Sequence, residues 1–555
     1  MRGDHDRRRA AASTAEVIAP ARRIGLARAA APLAWAGAAL VASRIPALTS
    51  ALPGLAVLQG PLGIGLAALG LAIFLARRAP PGWAEAADDW AGARSHAFAL
   101  TAAFLLYAVV GLWYATRLRV SGDEPHYLLM AQSLWREGDL DLRDNDARQD
   151  WREYTPGPIG AHYGAPRQDG RPFPAHSPGL PLLLAPVYAA GGRLACVVFL
   201  AAAAAGVTAV ARALARRLGA GPDAATVAWL AALGPPVLFY SFHVYTEVAS
   251  ALALCGALGL IGAGASAPAA LLAGLAAGML PWLHVKMIAA AGAVGVAAAA
   301  WLPGRRLAAF TAAAGLMALG YVAHLEHVFG RPTPLAIYGG APSQMSGRPA
   351  FALAGLFLDR SFGLLFHAPV FLLALAGAIP LARRWREAWP WLLAAAAVLA
   401  PALWWRMWWG GQSPPGRFLV PLVPVLAAAV ALRVAESPRG LARWRWPLAA
   451  IGLALASFAV ARPGALLLLN RGDRPTRLWT ALSGDVPLER YLPSLVAGTP
   501  EEWRVAALWL AVITAVLVCD RLAIRRDVFD RGFRSLGFPL VTLLALTLLV
   551  DCWAR

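Results

Sequence analysis

The chain has 555 residues, of which 59% are hydrophobic and 15% charged, with a formal net charge of +19. That is too apolar for a soluble protein of this length. The positive charge does not mark a nucleic-acid binder, because the arginines lie in short turns between apolar segments and form no contiguous basic face. They read as topology signals. Cys196, Cys255, Cys519 and Cys552 all sit in or beside apolar segments, so neither a disulfide framework nor a zinc cluster is indicated.

Residues 1–28 are basic and alanine-rich and read as a cytoplasmic tail, with no compact apolar core or cleavage site of the secretory kind. Apolar spans are expected near 29–46, 58–76 and 97–116. Arg77 and Arg78 belong on the inside, which places the segment after the third span outside.

That segment, 117–178, is the most informative polar stretch. Ten of the 31 acidic residues lie between Asp123 and Asp169, together with His162 and His176. A loop this long and polar points to function, since ordinary connections are much shorter. Within Val120 to Gly138, which contains SGDEPHYLLMAQSLWREG, Pro125 suits the first turn of a helix running to about Glu137. Asp123 and Glu124 then stand at its start, and Leu128, Met130, Leu134 and Trp135 give it an apolar side.

Beyond the loop, 180–190 is too short for a full crossing and reads as re-entrant or interfacial. Further spans are expected near 193–211, 224–243, 248–265, 268–284, 287–302, 308–327, 364–381, 389–405, 418–434, 446–462, 504–521 and 536–551. Alternation puts Arg212, Arg216, Arg217, Arg305, Arg306, Arg383, Arg384, Arg386, Arg433, Arg439, Arg443 and Arg445 inside. The same count places outside the turns around His243 to Glu247 and Pro281 to Lys286, a loop at 328–362 with Arg331, Tyr338, Gln344, Arg348, Asp359 and Arg360, and WWRMWWGGQSPPGR from Trp404 to Arg417. The expected fold is an all-α polytopic membrane protein with about 13 to 15 transmembrane helices and extracytoplasmic juxtamembrane helices.

One extracytoplasmic cavity would gather Asp123, Glu124, Glu247, His243, His284, Lys286, Asp359, Arg360, Arg406 and Arg417 if these spans pack compactly. A desolvated carboxylate activates an acceptor hydroxyl by taking its proton, and Asp123, Glu124 and Glu247 are the candidates. Basic groups bind a phosphate and meet the charge on a leaving group; Lys286 and Arg417 lead, with His284 and Arg360 behind them. Tyr127, His176, His243, Asp359 and Arg406 are acceptor-side or structural candidates. Each residue has a plainer reading: helix capping or loop solvation for the two acids, interfacial snorkelling for Lys286, a headgroup contact for Arg417, and a local charge pair for Asp359 and Arg360. No GxGxxG or GxxxxGK[ST] motif offers a nucleotide site, and no nucleotide cofactor is expected.

The stretch SGDEPHYLLMAQSLWREGDLDL resembles the first extracytoplasmic loop of GT-C membrane glycosyltransferases, the group containing protein O-mannosyltransferases and lipid A aminoarabinose transferases. HSPGLPLL, YTE, PWLHVK, LDRSFGLL and WWGGQSPPGRFLVPLVP resemble later segments, so the likeness covers roughly 97–462. On this view 1–96 is a tail with an added helical hairpin and 463–555 a periplasmic loop with the last spans. The resemblance implies a GT-C-like bundle and a catalytic acid at Asp123. It implies a polyprenyl-phosphate or polyprenyl-diphosphate sugar donor with inversion at the sugar, and a periplasmic lipid, polysaccharide or protein acceptor. It also implies a multi-pass location in a bacterial inner membrane with the site facing the periplasm. Some members use a divalent metal ion, for which Asp123, Glu124 and Glu247 are the candidate ligands. A transporter or flippase of a lipid-linked glycan is the principal alternative, since it too needs many helices around a polar cavity. An envelope structural subunit and a hydrolase are the others.

Overall fold

The computed structural model describes residues 26–78, 96–160, 162–264, 266–339, 345–472, 474–483, 486–496, 498–526, 529–530, 533 and 550. The tail at 1–25, Gln344 and nearly all of the span expected at 536–551 lie outside the described residues.

The described residues are organised around one long helix, Gly179–Arg217. It packs against His96–Ala115, Glu124–Arg136, Pro222–Leu233, Thr246–Gly262 and Val423–Glu436. Its alanines and glycines make this possible, because small side chains let helices approach closely where no hydrophobic effect drives them together. The expected short segment 180–190 is the first part of this helix, continuous with 193–211 except for a break at Gly191 and Gly192. Gly192 has φ 59°, ψ −148°, a conformation open to glycine and strained for other residues. A second closely packed pair is Ala267–Leu283 with Gly304–Phe329. There a Cβ on Gly278 would stand 2.4 Å from Met317 Cβ, so hydrogen is the only substituent that fits.

Among the described residues six helices are long and apolar enough to cross a membrane, or seven if the bent pair around Gly60 counts as one span. The expected 13 to 15 is not reached among the described residues. Several expected spans are helices of 10–17 residues, including Thr246–Gly262, Ala267–Leu283 and Val285–Trp301. These end early at polar turns, where the cavity described below begins.

Glu124–Arg136 forms as its Pro125 and acidic first turn predict. Leu128 and Met130 are fully buried, whereas Trp135 is 56% exposed. Arg433, read as an inside topology mark, is fully buried and pairs with the equally buried Asp520 at 2.6 Å. It thereby ties Val423–Glu436 to Pro500–Arg525.

Candidate active site

Local backbone features bring three distant segments together. Gly122, at φ +61°, lets the chain pass close over Tyr245, where a Cβ would fall 2.1 Å from the phenol oxygen. The next residue, Asp123, donates its backbone N–H to that oxygen at 3.4 Å. Tyr245 in turn donates to the Gln412 carbonyl at 3.1 Å. One buried phenol thus joins the polar loop, the start of Thr246–Gly262 and the tryptophan-rich turn. Gly410 and Gly411 both adopt positive φ, and the turn they make folds around Arg417.

Arg417 is the centre of the site. It is 7% exposed. Its Nη2 donates to Asp123 Oδ2 at 2.8 Å, its Nε to Glu247 Oε1 at 2.6 Å, and its Nη1 to the Gly410 carbonyl at 2.6 Å. The guanidinium carbon lies 4.6 Å from the Tyr245 ring centroid. A planar fork suits this task, since a single group meets two carboxylates and a carbonyl at once. Burial pushes the Asp123 carboxyl up, but the charge and hydrogen bond of Arg417, together with the nearby His176 and His162, hold the group below its usual range. Glu247 is buried, and among the described residues its second oxygen has no hydrogen-bond partner.

Asp123 and Arg417 line a cavity of about 570 Å³ together with His162, His176, His284 and Lys286. The Lys286 ammonium lies 4.2 Å from the Trp405 ring centroid and 3.9 Å from that of Phe418. Among the described residues no carboxylate pairs with it. The cavity therefore holds a lysine whose ammonium is in contact with aromatic faces, with the Glu247 and Asp123 carboxylates acting on it only from beyond ion-pair distance, a favourable place for an anion. His284 accepts from the Lys286 backbone N–H through Nδ1, which fixes the start of the turn that carries the lysine. Glu247 and Lys286 also border a small adjoining void of about 30 Å³.

Other expected site residues lie elsewhere. Glu124 is buried, and its carboxylate accepts from the Val244 N–H at 3.1 Å and the Ser121 N–H at 3.3 Å. It holds the loop against the bundle and does not line the cavity. The divalent-ion set of Asp123, Glu124 and Glu247 is accordingly not gathered: two of its members share Arg417 and the third binds backbone. Asp359 is fully buried and accepts from the backbone N–H groups of Ser361, Phe362, Leu495 and Val496. It is an organiser of the outer loops. Arg360 pairs with Glu502 at 2.8 Å and donates to the Glu489 carbonyl, away from the cavity. His243 donates to the Phe239 carbonyl at 2.6 Å, within the packed core. Tyr127 is buried behind His176 at 4.8 Å between ring centroids, and Arg406 is exposed.

Three participants went unselected in the sequence. Tyr245 and the His126–His162 pair carry no linear signature, because each acts through residues far away in the chain. In His126 and His176 burial lowers the imidazoles to about 4 and about 3, so both are neutral at pH 7.

No family model and no curated protein sequence matches the chain. Among solved structures it is similar to ArnT from Cupriavidus metallidurans bound to undecaprenyl phosphate. The identity is 16% over 80% of this chain and 76% of that one, at a TM-score of 0.41. The apo state of the same ArnT gives 17%, 82%, 78% and 0.40. The oligosaccharyltransferase AglB from Archaeoglobus fulgidus, in complex with an inhibitory peptide and a dolichol-phosphate, gives 14%, 73%, 58% and 0.36.

Proposed function

We propose that the protein is an inverting membrane glycosyltransferase. It moves a sugar from a polyprenyl-phosphate or polyprenyl-diphosphate donor to a hydroxyl-bearing acceptor on the extracytoplasmic side of a bacterial inner membrane. The observation that carries this reading is the pairing, in one cavity, of a carboxylate held by Arg417 with the Lys286 ammonium, which among the described residues forms no ion pair with a carboxylate.

The chemistry follows from that pairing. An acceptor oxygen bonds to the anomeric carbon as the bond from that carbon to the donor phosphate oxygen breaks. The acceptor proton passes to Asp123, and the phosphate departs with the bonding pair. Arg417 keeps Asp123 ionised and oriented while lowering its basicity, so its main contribution is to position the hydroxyl and receive the proton late in the displacement. Lys286 meets the charge growing on the phosphate. Glu247 fixes the opposite side of Arg417 and thereby holds Asp123 in place.

Product mass spectrometry tests the reading. Purified protein is given labelled polyprenyl-linked sugars and envelope acceptors. A product heavier by one sugar supports transfer. Free sugar in water indicates a hydrolase, and specific lipid-glycan binding without any covalent product indicates a transporter or flippase.

A further inference from the structure

We infer that His126, His162 and His176 form a binding site for a zinc-class divalent metal ion on the wall of the cavity. One ligating atom from each of the three lies within 4.8 Å of the others. His162 Nδ1 and His176 Nε2 are already 3.1 Å apart. Three imidazole nitrogens at about 2.0–2.1 Å from a tetrahedral ion stand roughly 3.3 Å from one another, so only the His126 ring has to close in.

The site is built by two different pieces of local structure. His126 stands in the first turn of Glu124–Arg136. His162 and His176 are brought together by a short antiparallel pairing, Tyr163 opposite Pro174, in which Gly164 donates to the Phe173 carbonyl and Ala175 to the His162 carbonyl. Among the described residues none of the three rings is hydrogen-bonded to a carbonyl or carboxylate. They face one another instead: the His126 and His176 rings stack at 5.2 Å, and the His162 and His176 rings meet edge-on at 4.7 Å. Converging imidazoles without an oxygen acceptor are poor core packing and good metal chemistry. An all-nitrogen set selects zinc, cobalt, nickel or copper over magnesium and calcium, which demand oxygen ligands.

His162 and His176 border the same cavity as Asp123 and Lys286, so three protein ligands leave a position open toward the bound reactants. That the open position takes a phosphate oxygen of the donor rests on the glycosyltransferase reading. Metal binding itself does not.

The test uses the full chain in detergent, purification tag removed and metal stripped with a chelator. It is titrated with Zn²⁺ and Co²⁺ by calorimetry and visible absorption. One equivalent should bind, Co²⁺ should show the absorption of a tetrahedral site, and excess Mg²⁺ should not compete. His162→Ala, at an exposed position, should weaken binding at least tenfold, as should His126→Ala. His327→Ala, at an exposed position on Gly304–Phe329, should leave it unchanged. Absence of stoichiometric binding by folded protein overturns the site, as does binding unaltered by both cluster substitutions. Metal binding without sugar transfer upholds the site and overturns the transferase reading; transfer without metal binding does the reverse.

Discussion

Arg417 and Asp123 are 294 residues apart in the chain and 2.8 Å apart in space. Every proposed step at the site depends on this contact, because the guanidinium determines both the charge and the direction of the carboxylate.

Replacing Asp123 with Asn removes the proton acceptor while keeping the shape and one hydrogen-bond acceptor for Arg417. Turnover should fall by roughly 10²- to 10⁴-fold, with the thermal melt little changed. Full turnover by the folded variant, measured by product mass spectrometry, would sink the assignment.

Arg417→Met leaves Glu247 buried without its counter-charge and frees Asp123 to turn. Breaking a buried ion pair from one side costs about 3–5 kcal/mol. The melt should drop markedly, and adding Glu247→Gln should restore part of the loss by removing the stranded charge. If the double variant is no more stable than the single one, the pairing of Arg417 with Glu247 is not what holds this region.

For Lys286 the readout is donor affinity. Lys286→Met keeps the aliphatic stem between Trp405 and Phe418 and removes the charge. Binding of a polyprenyl phosphate should weaken about tenfold, close to the ~1.4 kcal/mol that one charge-assisted contact supplies. Arg406→Ala, at an exposed arginine outside the cavity, should leave it within error. Equal affinities for Lys286→Met and the unaltered protein would remove the phosphate-contact role.

Asp359 predicts the opposite pattern. Asp359→Ala strands four backbone N–H groups, three of them buried, and a buried unpaired group costs about 1–3 kcal/mol. The variant should melt at a much lower temperature, yet turn over at the normal rate per folded molecule. A normal melt with lost turnover would move Asp359 from the scaffold into the site.

Much of the membrane character and part of the site are legible in the residue types alone. Apolar runs identify helices, because a segment in lipid must satisfy its backbone internally. Polar groups beside such runs are costly unless they are used, which is why Asp123, Glu247, Lys286 and Arg417 stand out. Pro125 after two acids was enough to predict the helix Glu124–Arg136. The break at Gly191–Gly192 was foreshadowed by an apolar segment too short to cross. The span count was less legible, since hydropathy cannot distinguish a full crossing from a short buried helix that ends at a cavity.

Sequence alone thus determined the class of protein and a shortlist of charged residues, through hydropathy and the cost of burying charge, both of which act locally. The choice within that shortlist was tertiary. Glu124 adjoins Asp123, but one residue of helical rotation, about 100°, sends its carboxylate to the backbone of Val244 while Asp123 meets Arg417. Likewise Asp359 and Arg360 are occupied by Leu495 and Glu502, more than a hundred residues away, and the three histidines converge only after the loop folds back on its own helix. Partners of a buried polar group are selected by packing in three dimensions, and linear spacing does not record them.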